Sequence, residues 1–262
     1  MSPRGSAGTP RRRKRRAGER PRRQRGAVGM GRAKMSLLGH GVTLTIKGLL
    51  GLLCRVRREG FERLPLDGPY IVVVNHINFL EVPLLYTSLY PRRSSSLVKA
   101  ETWNNRFLAV LAKFWSAIPV ERSRMDFIAL RRAEESLERG ELLLLAPEGT
   151  RSYDGRMGPA KAGVALLGLK TGVPIVPIVH YGGEKFWQQI KRLRRTRVHM
   201  KVGKAFVLRV PGEIPSHRVN RRQREEMSRE VMEYMASLLP EGYRGIYSGG
   251  KDFSYLRFVD FE

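Results

Sequence analysis

Three short runs of consecutive apolar residues constrain the fold of this 262-residue chain more than any other feature. They read YIVVV at residues 70–74, LLLLA at 142–146 and PIVPIV at 174–179. A short run without alternating polar residues is typical of a strand buried on both faces, and parallel sheets covered by helices contain such strands. The three runs therefore predict a buried, largely parallel sheet.

The stretches between these runs carry apolar residues at helical spacing or form shorter strand candidates. We predict helices over 81–89, 104–115, 125–139, 159–171 and 219–239. We predict further strands over 97–100, 117–120, 198–202 and 206–210, the last two of which could pair with each other. Strands that alternate with helices indicate an α/β fold, with a mostly parallel central sheet flanked by helices.

The first 34 residues differ sharply in composition from the rest of the chain. They contain thirteen Lys and Arg residues and one acid, Glu19, so they contribute +12 of the net charge of +25. A segment with no aromatic residues and no apolar periodicity cannot build a core, and we predict a basic disordered tail over 1–34. The tail either holds an anionic surface by charge alone, or lies upstream of a true start at Met30 or Met35.

Residues 36–56 are rich in Leu, Val and Ile but are interrupted by His40, Lys47 and several glycines. No run reaches the roughly 20 apolar residues that a transmembrane helix needs. We predict a membrane-interfacial helical segment over 35–60, with an ordinary helix packed on the domain as the alternative. An α/β domain would then occupy 61–240, and a C-terminal tail 241–262.

The positive charge outside the tail, +13, suits anionic partners such as phosphorylated lipids or a phosphopantetheine carrier. A nucleic-acid binder is a second class that the charge permits, through the tail and the basic cluster 191–197. That cluster has no interleaved aromatic residues for base stacking, so no nucleic-acid partner is expected. The five histidines are scattered and the single cysteine is Cys54, so the sequence predicts no metal site and no internal disulfide framework.

Polar residues follow the first buried strand directly. Asn75 and His76 lie where this strand ends, and Glu81 follows His76 five positions later. The carboxyl ends of parallel strands are the usual place for reactive groups in open α/β sheets. A carboxylate at Glu81 can reach the Nδ1–H of His76, which fixes the tautomer and leaves Nε2 free as a base. A capping or core histidine is the alternative for this pattern alone.

Two more strands end in charged residues. The run Pro147-Glu148-Gly149-Thr150-Arg151-Ser152 follows LLLLA, and Ala117-Ile118-Pro119-Val120-Glu121-Arg122 begins with the strand at 117–120. Lys99 ends another short strand. Arginine binds phosphate through two parallel hydrogen bonds, and a carboxylate such as Glu148 can accept hydrogen bonds from substrate hydroxyls. Several cations at one rim of the sheet predict a phosphate-bearing substrate, although each run alone could be a capped surface turn.

In these blocks the sequence resembles the glycerophospholipid acyltransferase family, particularly bacterial 1-acyl-glycerol-3-phosphate (lysophosphatidic acid) acyltransferases. The family has Asn-His followed after four residues by Asp, then an Ile-Pro-Val-x-Arg run, then Pro-Glu-Gly-Thr-Arg-Ser, then an apolar stretch around a proline. All four occur here in that order, over about residues 70–180. The chain departs from the pattern at Glu81, where the family has Asp.

The resemblance implies direct transfer of a fatty acyl group from acyl-CoA or acyl-carrier protein to the free hydroxyl of 1-acyl-glycerol-3-phosphate. It implies that His76 is the general base and Glu81 orients it, while Lys99, Arg122 and Arg151 bind the acceptor phosphate. It also implies that Asn75, Glu148, Gly149 and Thr150 contribute to the substrate site.

The same resemblance predicts no cofactor other than the acyl thioester, and association with the cytoplasmic face of an anionic membrane. Another acceptor, such as glycerol 3-phosphate or a different lysophospholipid, remains an alternative. So does a non-catalytic lipid-binding role on the same fold, which the Glu81 departure favours.

Overall fold

The structure is a computed structural model that describes residues 37–121, 126–210, 212, 218–249 and 256–261. Nine strands in these ranges form one sheet. The strands are β1 (Cys54–Glu59), β2 (Ile71–Val74), β3 (Ser94–Lys99), β4 (Ala117–Val120), β5 (Leu142–Leu145), β6 (Ile175–Tyr181), β7 (Thr196–Val202), β8 (Phe206–Leu208) and β9 (Val259–Phe261).

Seven α-helices accompany the sheet in the same described ranges. They are α1 (Leu37–Leu53), α2 (Glu81–Leu89), α3 (Arg106–Phe114), α4 (Phe127–Glu138), α5 (Gly163–Thr171), α6 (Phe186–Lys191) and α7 (Arg221–Ser237). Three of these helices have an asparagine or an aspartate as their N-terminal capping residue. The side chain of Asn220, for example, accepts a hydrogen bond from the backbone N–H of Gln223 at the start of α7.

The sheet has the strand order β1-β7-β6-β2-β5-β3-β4. β2 lies in its centre and pairs in parallel with β5 on one side and β6 on the other. β3 continues the parallel arrangement with β5 and β4, whereas β7 and β8 run antiparallel to β6. The predicted α/β class with a mostly parallel central sheet is therefore confirmed.

Side chains alternate across the central strands and build one core on each face of the sheet. Ile71 and Val73 of β2 belong to the core beneath α4, α5 and α7. Val72 and Val74 belong to the opposite core, to which α1, α2, α3 and α6 contribute. This double burial is why the strand runs are apolar without interruption.

Three sequence expectations differ from the structure at the edges of the sheet. The segment predicted as helical over 35–60 is a helix only to Leu53, after which β1 pairs in parallel with β7. The sequence of β1, CRVRRE, does not show the apolar pattern of a buried strand, because an edge strand can carry charges on its solvent side. The predicted C-terminal tail 241–262 contributes β9, which pairs with β8. Phe206 of β8 pairs with Ile175 of β6, and not with the strand at 198–202.

Helix α1 presents leucines on its outer face and packs its other face against the domain. Leu37, Leu38, Leu44, Leu49 and Leu52 are exposed, whereas Leu50 is buried. At its start, His40 Nδ1 lies 2.6 Å from the hydroxyl of Tyr90, just beyond α2. None of the described helices combines the length and the hydropathy that crossing a bilayer requires.

Candidate active site

His76 lies just beyond the carboxyl end of β2, the central strand of the sheet. It is almost fully buried, and its ring forms part of the wall of a cavity of about 980 Å³. Because the neighbouring strands β5 and β6 run parallel to β2, their carboxyl ends meet at the same edge. The loops after three strands therefore converge on His76.

Glu81, the first residue of α2, makes the contact with His76 that the sequence predicts. Its Oε1 accepts a hydrogen bond from His76 Nδ1, and its Oε2 accepts one from the backbone N–H of Ile77 at 2.9 Å. A neutral imidazole that donates from Nδ1 has an unprotonated Nε2. The geometry thus prepares Nε2 to accept a proton.

His180, at the end of β6, completes this buried group and was missed in the sequence. Its Nε2 lies 2.8 Å from the carbonyl oxygen of Asn75 and 3.3 Å from Glu81 Oε2. Two parallel strand runs that both end in histidine, YIVVVNH and PIVPIVH, were the available signal. Pairing β2 with β6 brings these two ends together, and only the tertiary structure supplies that pairing.

The electrostatics of Glu81 follow from this environment. Complete burial alone raises the pKa of a carboxyl group, because it disfavours the charged form. Here the hydrogen bonds from His180 and His76 outweigh the burial and lower the pKa of Glu81 below its ordinary value. Glu81 is therefore a carboxylate at neutral pH and can stabilise a positive charge on His76.

Asn75 and Glu148 do not lie on the wall of the cavity, which differs from the substrate contacts expected for them. The side-chain amide of Asn75 donates to the carbonyl of His180 and accepts from its N–H, both at 2.9 Å. Glu148 accepts hydrogen bonds from the backbone N–H groups of His76 and Gly158, both at 2.8 Å. Both side chains are buried and hold backbone, so they position the loops around His76.

The loop after β5 is tied to the loop after β2 along its length. The N–H of Ser152 donates to the carbonyl of His76 at 2.8 Å, and that of Tyr153 donates to Ile77 at 3.0 Å. Burial raises the pKa of Glu148, and its two backbone hydrogen bonds offset part of that rise. The His76 backbone is thus held from both sides, which limits the freedom of its ring.

A cationic rim surrounds the cavity near His76. Thr150 and Arg151, for which substrate binding is predicted, line the cavity, and so does Lys161, which the sequence did not single out. Lys99 also lines the cavity but forms an ion pair with Glu101 at 2.9 Å. Arg122, predicted to bind phosphate, lies outside the described residues.

Gly149 allows Lys161 to approach the rim. Its φ is +67°, in the left-handed region that glycine adopts without strain. A Cβ at this position would lie 2.8 Å from Cδ of Lys161, too close for a side chain. The lysine stem therefore crosses the turn directly over Gly149, and its Nζ lies 3.2 Å from the position of that Cβ.

Away from the rim the cavity is also lined by Glu101, Glu121 and Asp126, but most of its wall is apolar. The apolar part is formed by side chains from the central strands and from α2, α4 and α5, including Val74, Leu85, Leu97, Leu130, Leu144 and Val164. Tyr86 lies in the same wall, stacked on Trp115 with ring centroids 4.7 Å apart. The cavity therefore combines a cationic mouth with an apolar interior.

A segment near the C-terminus, residues 240–247, packs on the loop that carries Glu148 and Arg151. The carbonyl of Tyr243 accepts from the N–H of Met157 at 3.1 Å, and Ile246 donates to Met157 at 3.3 Å. The hydroxyl of Tyr243 donates to Glu184 at 2.8 Å. We call residues 240–247 the strap, because they fasten this loop to the end of β6.

No group of three or more His, Cys, Asp or Glu side chains suited to a metal ion occurs in the part of the chain that the structure describes. The side chains of His76 and His180 instead both contact the carboxylate of Glu81. What the arrangement offers chemically is a buried imidazole with a free Nε2, between a cationic mouth and an apolar cavity. Such a site can deprotonate a hydroxyl of an amphiphile that carries a phosphate.

The part of the chain that carries this site is similar to a known protein family. Residues 55–181, which contain β2 to β6, all of β1 except Cys54 and every described residue of the His76 group, match the family model described as Acyltransferase. This part of the chain is therefore similar to acyltransferases.

The curated proteins similar to this chain include 1-acyl-sn-glycerol-3-phosphate acyltransferases. A chloroplastic one from Brassica napus is 35% identical over 131 residues, which cover 48% of this chain and 37% of that protein. The alpha form from Homo sapiens is 32% identical over 152 residues, covering 57% and 53% respectively. The enzyme from Bacillus subtilis is 25% identical over 137 residues, covering 52% and 68%. The aligned part is therefore little more than a third of the plant relative's length and about half of the human one's.

A solved structure shares the fold. The crystal structure of the 1-acyl-sn-glycerophosphate acyltransferase from Thermotoga maritima superposes with a TM-score of 0.54 at 24% identity. The superposition covers 74% of this chain and 76% of that one. The helix-flanked, mostly parallel sheet is therefore the fold of that acyltransferase as well.

Proposed function

We propose that this protein transfers a fatty acyl group from an acyl thioester to the free hydroxyl of 1-acyl-glycerol-3-phosphate. The observation that carries the proposal is the His76–Glu81 pair at the mouth of a cavity with a cationic rim and apolar walls. A lysophospholipid has the matching chemistry, since its phosphate and its hydroxyl are adjacent to a long apolar chain. The names of the similar proteins point to the same acceptor.

The reaction needs one proton transfer in each direction. His76 Nε2 removes the proton of the acceptor hydroxyl while its oxygen attacks the thioester carbonyl carbon. The carbon–sulfur bond breaks, an ester bond forms, and the imidazolium returns its proton to the leaving thiolate. Glu81 stabilises the transient imidazolium, as a buried carboxylate does for a catalytic histidine in other acyl transfers.

The remaining residues divide between binding and positioning. Arg151, Lys161 and Thr150 bind the acceptor phosphate and glycerol, with Lys99 and Arg122 as further predicted phosphate ligands. Asn75, Glu148 and His180 position the His76 loop through the hydrogen bonds described above. The apolar wall accommodates acyl chain, and about 980 Å³ is sufficient volume for one.

The donor and the location of the reaction are further parts of the proposal. Acyl-CoA and acyl-carrier protein both present the required thioester, and the basic surface suits either of these anionic carriers. The exposed leucines of α1 support an interfacial helix that holds the protein to an anionic membrane, for which we propose the cytoplasmic face.

The decisive experiment measures thiol release by the purified full-length protein. Acceptors are 1-acyl-glycerol-3-phosphate, glycerol 3-phosphate and neutral lysophospholipids, each with acyl-CoA or acyl-carrier protein. We expect turnover with 1-acyl-glycerol-3-phosphate, and a loss of at least about a hundredfold in His76→Ala because general-base catalysis is removed.

His40→Ala, on α1 and away from the cavity, is the control and is expected to retain turnover. Undiminished turnover in His76→Ala would refute the assignment of the base. A wild-type protein that consumes no thioester with any acceptor would refute the enzymatic function and favour a lipid-binding role.

A further inference from the structure

Large apolar side chains are exposed together at one edge of the domain. They come from the last turns of α1, the loop after β2, α6 and the turn that follows α6. Trp187 is 61% exposed and Leu193 is 98% exposed. We call this set the docking edge; it consists of Leu49, Leu52, Phe79, Trp187 and Leu193.

The strand pairing places these residues at the edge of the sheet that carries His76. β7 runs antiparallel to β6, so its first residue, Thr196, lies near the carboxyl end of β6. Thr196 pairs with Cys54 at the start of β1, which directly follows α1. Arg195 donates to the carbonyl of Cys54 at 2.8 Å and also to that of Gly51. The end of α1 and the turn at Leu193 are therefore joined at that edge.

Phe79 connects this surface to the active-site loop. Its ring lies 5.4 Å from the ring of Trp187 and 5.5 Å from that of Phe186, between centroids. Phe79 lies three residues after His76, in the loop that leads into α2. Tyr153, an exposed residue that lines the cavity, is bonded to the same loop through Ile77. The docking edge thus adjoins the mouth of the cavity.

Both the backbone conformation and the exposure of Leu193 are unfavourable, and no packing within the described residues offsets them. Its φ is +51°, in the left-handed region that leucine rarely adopts. Its side chain is almost completely in solvent. Burial against a partner would give this side chain the apolar contacts that the described residues do not provide.

The charge around the docking edge selects the kind of partner. Residues 185–197 contain six Lys and Arg and no Asp or Glu. All six are exposed, and none forms an ion pair with a carboxylate of the described residues. They are Lys185, Lys191, Arg192, Arg194, Arg195 and Arg197. An apolar surface bordered by cations matches the interface of an anionic bilayer, where apolar side chains enter between headgroups and cations meet phosphates.

We propose that the docking edge inserts into an anionic phospholipid bilayer as a second contact, in addition to the outer face of α1. The proposal rests on the proposed function, because it concerns how a lipid acceptor reaches the same site. With the docking edge in the headgroup region, the cavity mouth at Tyr153 and Arg151 lies against the membrane. An acceptor can then pass from the bilayer to His76 without moving its acyl chain through water.

The test compares full-length variants for binding to vesicles of phosphatidylglycerol and phosphatidylcholine by co-sedimentation. The variant W187S/L193S removes the two most exposed apolar groups of α6 and its following turn. Leu66→Ser is the matched control, since Leu66 is 88% exposed and precedes β2, at the opposite edge of the sheet from His76. We expect binding at least tenfold weaker for W187S/L193S, and wild-type binding for Leu66→Ser.

Turnover separates this proposal from the proposed function. W187S/L193S should lose activity toward acceptor embedded in vesicles and keep it toward a short-chain acceptor that is monomeric in water. Wild-type vesicle binding by W187S/L193S would overturn the proposal, as would binding to a DNA duplex without binding to vesicles. Vesicle binding that depends on the docking edge in a wild-type protein without any turnover would leave the proposal standing and remove the proposed function.

Discussion

The carboxylate of Glu81 contacts two histidines and one backbone amide. Its oxygens contact His76 Nδ1, His180 Nε2 and the N–H of Ile77. A buried carboxylate with so many donors is stable only in its charged form. The family has Asp here, and in this chain the longer side chain still makes the contact with His76.

The lowered pKa of Glu81 leads to a prediction about stability and pH. A carboxyl group whose pKa is lower in the folded state stabilises the protein above its ordinary pKa, and that stabilisation is lost as the pH falls through the folded value. We expect Glu81→Gln to reduce the free energy of unfolding by about 3 kcal/mol at pH 7, as for a broken buried pair. The difference should shrink below the ordinary value of 4.5.

Urea unfolding of both proteins at pH 7 and at pH 4 measures this difference. Glu62→Gln is the control, since Glu62 is 75% exposed and its neighbour Arg63 is 3.9 Å away. Surface pairs of this kind contribute little, so no large effect is expected. A destabilisation by Glu81→Gln that is equal at both pH values would contradict the role of its charge.

Lys161 is the cation at the rim that the sequence did not single out. Its stem passes over Gly149, and Lys161 lines the cavity together with Thr150 and Arg151. A hydrogen bond from an ammonium to a phosphate contributes about 1.5–3 kcal/mol, which is roughly a ten- to hundredfold change in binding. We expect Lys161→Met to raise the KM for the acceptor by about that factor and to leave the KM for the thioester nearly unchanged.

Initial rates at varied acceptor concentration test this prediction. Lys170→Met is a suitable control, because Lys170 lies on α5 and pairs with Glu134 of α4 at 2.7 Å. An acceptor KM that does not change in Lys161→Met would remove this residue from the phosphate site.

At the scale of elements, the strap explains why the loop after β5 keeps its shape. The backbone of this loop forms hydrogen bonds at Met157 with Tyr243 and Ile246 of the strap. The buried side chain of Glu148 accepts a further hydrogen bond from the N–H of Gly158. A small displacement of catalytic groups lowers rates strongly, so a loop fixed on both sides favours efficient catalysis. The strap lies beyond residues 55–181, the part that matches the family model.

Tyr243→Phe tests the strap with little change in volume. Burial, with the hydrogen bond to Glu184 and its charge, raises the pKa of Tyr243 to about 12, so the hydroxyl remains a donor throughout the working pH range. We expect Tyr243→Phe to lose about 1 kcal/mol in stability and to have a several-fold lower kcat than the wild type. The ratio of the two kcat values should be constant from about pH 6 to 9. Ser248→Ala, just beyond the strap, should have no effect on kcat, and a kcat unchanged in Tyr243→Phe would exclude a positioning role.

At the scale of the whole molecule, the described residues of the cavity wall lie between Val74 and Leu166. Residues 1–34 lie outside the residues that the structure describes. We therefore expect a variant without residues 1–34 to turn over a monomeric acceptor at the wild-type rate. Because thirteen basic residues are lost, its binding to anionic vesicles should weaken and depend less steeply on salt.

Salt titrations of vesicle and DNA binding, with and without residues 1–34, measure this effect alongside turnover. A large loss of turnover on the monomeric acceptor would show that the tail contributes to the site itself.

Local chemistry along the chain determined the class of the fold and much of the site. Uninterrupted apolar runs require burial on both faces, and this property alone indicated the parallel sheet at β2, β5 and β6. The contact between His76 and Glu81 spans five residues and one turn, so it too could be predicted from spacing. The edge strands β1 and β9 could not, since charged or short edge strands carry little pattern.

Only the tertiary structure decided which distant groups meet. His180 joins the His76 group because β6 pairs with β2, and Lys161 reaches the rim because its loop returns over Gly149. Glu148 and Asn75 have the side chains of substrate ligands, yet buried backbone groups beside them needed hydrogen-bond partners. A sequence specifies which residues can donate, accept or carry charge, whereas the packing of the chain determines which partners remain within reach.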